Sequence, residues 1–198
     1  MSQPNSLREL SGLGQQPGKL RDSALIMIDL QNTYRHGVMQ LEGVEQAVRE
    51  AAQLLAMARD LKVPVIHIRH DSGPGTPYDV SAEIGQISSE VAPIAGEAVI
   101  TKHYPNAFVQ TDLEAQLRAL GITNLTLAGF MTHMCINSTA HGGFNLGFAP
   151  TIVASATATR ALVGANGLVV SAQDVHNGAL AATRDLYAAV ADDIAQVA

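Results

Sequence analysis

Apolar positions along this chain follow two alternating patterns, and the alternation predicts the architecture. Residues 24–29 (ALIMID) form an unbroken apolar run ending in a carboxylate, as expected for a strand buried on both faces of a parallel sheet. After a polar loop over 30–42, Val44, Val48, Ala51, Leu55 and Ala58 recur at helical spacing and predict an amphipathic helix through residue 61. Further strands are predicted at 63–68 (VPVIHI), 98–101 and 124–128, with a helix over 112–120. A helix over 133–146, a strand over 149–154, a helix opened by a capping box from Ser171 to Asp174, and a short strand over 187–190 complete the series. Such alternation predicts the α/β class: a three-layer α/β/α sandwich with a central, mostly parallel six-stranded sheet and Rossmann-like topology.

Residues 1–22 are polar and carry Gly12, Gly14, Pro17 and Gly18. They are expected to form an extension on the surface or over a partner subunit, leaving 23–198 as a single domain. The run GLGQQPG follows no strand and lacks phosphate-loop spacing. The segment 69–96 is rich in Gly and Pro, and a loop of that length in a compact domain usually covers a site. With 198 residues and 47% hydrophobic content, the chain is long enough to bury a substantial core. A net charge of −6 without a Lys/Arg cluster argues against a nucleic-acid partner. A single cysteine excludes an internal disulfide. No apolar run approaches the ~18 residues of a membrane span, and the N-terminus lacks a signal-peptide core. These features predict a soluble, cytoplasmic protein with no membrane contact.

In parallel sheets, ligands bind beyond the carboxyl ends of the strands. Three chemically capable residues fall there. Asp29 ends the first strand, Lys102 follows the third, and Cys135 opens the helix after the fourth. Gly129 is expected to break the fourth strand and Thr132 to cap the helix, which puts Cys135 in a first turn whose N–H groups lack intrahelical partners. That setting would lower a thiol's pKa and hold a developing oxyanion. Each residue has an ordinary alternative: a loop-capping Asp, a solvated Lys, a buried Cys acting as a small apolar group. Together they form a base, an electrostatic partner and a nucleophile.

Three motifs surround these residues: ALIMIDLQNTY, ITKHYPNAFVQTDLEAQL and LAGFMTHMCINSTAHGGFNLGF. In order and spacing they resemble the isochorismatase-like cysteine hydrolases, which include amidases such as nicotinamidase and N-carbamoylsarcosine amidohydrolase. The resemblance covers roughly residues 22–190. It implies an Asp29–Lys102–Cys135 catalytic triad and a cis peptide between Phe130 and Met131, with the N–H groups of Met131 and Cys135 as oxyanion donors. The implied reaction is hydrolysis of a C–N bond (amide, ureido or lactam) in a small-molecule substrate, through a Cys135 thioester. No cofactor is implied, and assembly as a homodimer or homotetramer is. Gln31, Tyr34, His36, Tyr104, Phe108 and Phe130 are candidates for the pocket wall, Phe108 and Phe130 being equally suited to core.

Some positions depart from the family pattern. Ser155 stands where an Asp is common, and His141-Gly142 where an Arg and a larger residue are common; these bear on specificity and assembly. The nicotinamidase Asp-x-His metal element is absent. His67 and His70 would point to opposite faces of a strand, a poor ligand geometry, so they are expected to be surface or loop histidines, and no metal is expected. His133 is a second candidate base, ranked behind Asp29. Three other readings compete: vinyl-ether hydrolysis, whose family members typically lack the cysteine; a non-catalytic oligomeric binding module; and a redox-sensing thiol, which would need an external resolving thiol.

Overall fold

The computed structural model describes residues 5–198. Its strands are β1 (Ser23–Ile28), β2 (Val65–His70), β3 (Ala98–Lys102), β4 (Asn124–Phe130), β5 (Ala149–Ala158), β6 (Leu162–Val163), β7 (Val169–Val170) and β8 (Ala189–Ala191). Its α-helices are α1 (Leu7–Leu10), α2 (Val44–Leu61), α3 (Leu113–Ala119), α4 (Asn137–Asn145) and α5 (Ala172–Leu186). Six strands form one sheet in the order β3-β2-β1-β4-β5-β8, every pair parallel, while β6 and β7 make a small antiparallel hairpin. The chain winds outward from β1 in one direction and from β4 in the other. The β1/β4 boundary is therefore the topological switch point, where parallel sheets open a crevice at their carboxyl ends.

All six residues of β1 are buried, and their alternation feeds two cores. Leu25 and Met27 pack with α2 residues Val48, Ala51, Leu54 and Leu55. Ala24, Ile26 and Ile28 pack with Leu113, Leu117 and Ala140 of α3 and α4. Helices thus cover both faces of the sheet. The apolar stripe of α2 is the one the spacing predicts, with the same bounds.

Two boundaries shift in ways that matter for the site. The second strand starts at Val65, after Pro64, whose carbonyl accepts the Leu25 N–H at 2.9 Å, and it runs on to His70. Gly129 does not end the fourth strand. It pairs with Ile28 at φ 126°, where β4 shifts register against β5. A Cβ there would lie 1.9 Å from the Ile28 carbonyl oxygen, so only glycine lets the central strands meet at their carboxyl ends.

The expected extension is partly built into the domain. Ser6 and Glu9 form a capping box at α1, and the Arg8 guanidinium donates to the carbonyls of Gly14 and Leu186. Leu20 is fully buried, its N–H bonded to the Val197 carbonyl. No helix of the described residues is long and apolar enough to cross a membrane.

Candidate active site

Asp29 follows β1 directly, at φ 51°. That left-handed conformation is uncommon outside glycine, although Asp adopts it more readily than most residues. Its N–H donates to Ile68 O at 2.9 Å, and its carbonyl accepts the Gln31 N–H at 2.8 Å. The resulting tight turn carries the carboxylate across the sheet edge. Lys102 ends β3, two strands away, and its side chain reaches along the sheet edge toward β1: Lys102 Nζ lies 2.7 Å from Asp29 Oδ2 and 3.3 Å from Cys135 Sγ. Asp29 and Lys102 are completely buried and Cys135 is 5% exposed. The three residues singled out by the strand ends therefore meet.

Cys135 follows the cis peptide that the family resemblance implies, and then a turn that the sequence does not foretell. The peptide between Phe130 and Met131 is cis, and residues Thr132–Ile136 form a π-helical turn before α4 begins at Asn137. Such turns gather at functional sites because they re-aim side chains. Ile136 N–H donates to Met131 O across the widened turn. Thr132 is not the expected cap, since its hydroxyl is engaged with His176 Nδ1 at 3.0 Å. The expected depression of the thiol's pKa is also absent. Burial first, then the neighbouring Asp29 carboxylate, push the Cys135 thiol well above its ordinary value, and Lys102 offsets only part of this. Burial likewise opposes the Lys102 charge, but Asp29 and Cys135 outweigh it and raise the pKa. Both Asp29 carboxylate oxygens are buried without a hydrogen bond of good geometry, Oδ2 being held by the Lys102 ion pair alone.

His70 is the group that residue spacing missed. Its Nδ1 lies 3.2 Å from Lys102 Nζ. It is neither a surface residue nor a free loop residue, and the signal for it is register: in the parallel pairing of β2 with β3, His70 sits directly beside Lys102. His67, on the opposite face, is 1% exposed and bonded to Glu97 at 2.9 Å. His133 turns away from the thiol, its Nδ1 2.6 Å from Thr159 Oγ1. Among the described residues, no three His, Cys, Asp or Glu side chains gather as a metal site.

The pocket candidates separate. Gln31 is structural: its amide donates to the His70 and Gly85 carbonyls and accepts the His70 N–H, pinning the covering segment to β2. Phe108 stacks on Phe148 and packs against the second core. Phe130 is fully buried beneath Tyr34. Tyr34 contacts Tyr78 edge-on, and burial, then the Asp29 and Cys135 charges, raise its pKa. Tyr104 is exposed on the loop after β3, and His36 faces Glu83 at the surface. Tyr78, from the 71–96 segment, packs edge-on against both Tyr34 and His70 and so roofs the cluster.

The departures at 141–142 serve packing within the chain. A Cβ on Gly142 would fall 2.4 Å from the Asn106 amide, so the loop after Lys102 lies directly on α4. His141 stacks on Tyr187. Ser155 reaches Glu50 and holds the β8 end through Asp192. Beyond β5, Arg160 has a buried Nε with no hydrogen-bond partner among the described residues, and its charge acts on both Tyr78 and His133. A groove of about 500 Å³ runs along the carboxyl end of β5, past Glu42, Thr157, His176 and Asp192. The buried cluster lies outside it.

A parallel α/β sandwich with an acid, an amine and a thiol buried at its switch point belongs to the class of carboxyl-edge α/β enzymes. The isochorismatase domain model matches residues 23–193, and the chain belongs to the isochorismatase family of hydrolases. It is 36% identical over 171 residues to YddQ, an isochorismatase family protein of Bacillus subtilis, covering 85% of this chain and 94% of that one. It is 33% identical over 163 residues to a maleamate amidohydrolase of Pseudomonas putida, covering 71% and 74%. A crystal structure of an isochorismatase from Pseudomonas putida superposes with a TM-score of 0.92 at 36% identity, over 96% of this chain and 97% of that one.

Proposed function

We propose that this protein is a metal-independent cysteine amidohydrolase that cleaves the C–N bond of a small amide bearing a carboxylate, through a thioester on Cys135. The observation that carries the reading is the placement of Lys102 Nζ between Asp29 Oδ2 and Cys135 Sγ at 2.7 and 3.3 Å. Burial disfavours a standing thiolate, so in this reading the nucleophile is made during attack. Asp29 takes the Cys135 proton as sulfur adds to the substrate carbonyl. Neither of its oxygens is tied up in a hydrogen bond, which leaves the carboxylate free to do so. Lys102 holds the carboxylate ionised beforehand and faces the sulfur as negative charge develops.

The carbonyl electrons move to oxygen, which the Met131 and Cys135 N–H groups would receive; one such donor contributes roughly 3 kcal/mol in comparable sites. Collapse of the adduct expels nitrogen, which collects the proton from Asp29, and leaves the thioester. Asp29 then removes a proton from water, the hydroxide adds to the thioester carbonyl, and sulfur leaves and regains its proton. The net change is amide plus water to acid plus amine or ammonia. Arg160, with its unsatisfied Nε near Tyr78, is the group suited to a substrate carboxylate. Maleamate, the substrate named for one relative, has that form.

Ammonia release from a panel of small amides, ureido acids and lactams tests this, each acid paired with its methyl ester. The expected result is release from an acid-bearing member that disappears in Cys135→Ala. Release that persists in Cys135→Ala, or no release from any member, would count against the reading.

A further inference from the structure

We propose that His70 is a positioning residue of this site: its Nδ1 accepts the third proton of the Lys102 ammonium and keeps that cation seated between Asp29 and Cys135. The role rests on the amidohydrolase reading for its catalytic meaning, but the geometry stands without it. An ammonium has three protons to place, and Lys102 is cut off from solvent. Its neighbours supply three acceptors: Asp29 Oδ2 at 2.7 Å, His70 Nδ1 at 3.2 Å and Cys135 Sγ at 3.3 Å. Lys102 passes His70 on its way to Asp29 because β2 lies between β3 and β1.

To accept from an ammonium, Nδ1 must be bare, so the imidazole is neutral with its proton on Nε2, which lies 3.2 Å from Ser72 Oγ. The ring is held rather than free. Gln31 grips the His70 backbone through both its N–H and its carbonyl, at 2.8 and 2.9 Å, and Tyr78 meets the ring edge-on at 5.1 Å. The charged or titratable groups facing it are Lys102 and His103 from β3 and beyond, Asp29 from β1, Asp71 and Tyr78 from the covering segment, and Cys135 behind Lys102. Burial, then the Lys102 charge, hold its pKa below the ordinary imidazole value.

Two consequences follow. Without an acceptor at Nδ1, a buried charged N–H is left unmet, which favours the neutral amine and removes the positive charge facing the sulfur. Protonation of His70 places two cations side by side and drives the ammonium off its seat, so the site fails on the acid side.

The experiment uses iodoacetamide on the full chain, whose single cysteine makes alkylation specific to Cys135. His70→Asn keeps an oxygen acceptor near the Nδ1 position but does not titrate; His70→Leu offers none. Near pH ~7.5, His70→Leu is expected to alkylate about 10-fold or more slowly than wild type, and His70→Asn to stay within about threefold. On the acid side, the wild-type rate should fall more steeply than first order in protons, and the His70→Asn rate only to first order. Wild-type rate and pH profile in His70→Leu, or equal damage in both variants, would overturn the proposal. Unfolding of His70→Leu would show as faster alkylation, and His70→Asn then decides by its pH profile. Failure of all proteins to release ammonia would count against the amidohydrolase reading and leave the alkylation pattern standing.

Discussion

Strand β2 feeds two charge clusters from opposite faces, one partly exposed and one buried, and they are built to opposite ends. On the α2 side, His67 bonds Glu97, whose two oxygens also receive Arg59 Nε and Nη2 at 2.8 and 2.9 Å and the Ile94 N–H at 3.0 Å. Both carboxylate oxygens have partners there. The arrangement ties α2 to β2 and to the segment entering β3. At the carboxyl edge, His70, Lys102, Cys135 and Asp29 form the second cluster, and neither Asp29 oxygen has a hydrogen bond, Oδ2 being held only by the ion pair with Lys102. A buried carboxylate with a spare lone pair is destabilising by ordinary accounting. The saturated cluster holds structure, whereas the unsaturated one keeps a site open for a proton. Unmet capacity and burial together separate the two.

The largest expected effect breaks the second cluster at that open position. Asp29→Asn keeps the shape and removes the ability to accept the thiol proton. Turnover of any amide that the wild type hydrolyses should fall by about 10²–10⁴-fold, with circular dichroism showing the fold intact. An Asp29→Asn enzyme within about tenfold of wild type would move the base to another group.

How far such a contrast could be read from sequence depends on what each residue needs. Asp29, Lys102 and Cys135 were legible because strand ends and parallel topology alone bring them to one edge. The bounds of α2 were legible because a single apolar stripe decides them. His70 was not, although strand parity correctly set it opposite His67. Parity says which face a side chain takes, but only the His70–Lys102 register says whom it meets. Thr132 failed as a cap because its hydroxyl is claimed by His176, 44 residues away. Gly129 was read as a strand breaker, when its lack of a Cβ is what lets β4 pass Ile28. The hairpin of β6 and β7, two residues per strand, is too short to carry a period.

The saturated cluster should respond in stability rather than turnover. Glu97→Gln leaves Arg59 without its counter-charge and weakens the bonds to His67 and Ile94. Charged hydrogen bonds of this kind contribute about 1.5–3 kcal/mol, so urea unfolding should show a loss of that order. Cys135-dependent ammonia release should change by less than about twofold, since ΔΔG values add for clusters with no shared partners. A large drop in turnover at unchanged stability would erase the distinction between the clusters.

The smallest effect is also the most specific, because it has a sign and a window. Arg59, working against burial, holds the Glu97 carboxyl down at about 2, below its ordinary 4.5. The unfolded chain therefore binds the Glu97 proton at a higher pH than the folded one. The stabilisation from this carboxylate is fully present above pH 4.5, and is lost as pH falls toward 2. His67, whose pKa burial lowers, adds an earlier loss that begins as pH falls through the ordinary imidazole value, where the unfolded chain takes up its proton first. Glu97→Gln cannot titrate. The stability gap between wild type and Glu97→Gln should thus be constant above pH 4.5 and close as the pH approaches 2. Urea midpoints measured across that window give the gap directly. A gap that stays constant down to the acid end would mean that Glu97 keeps no charge-dependent hold on Arg59. The clamp would then rest on shape and neutral hydrogen bonds, and saturation would no longer distinguish it from the cluster around Asp29.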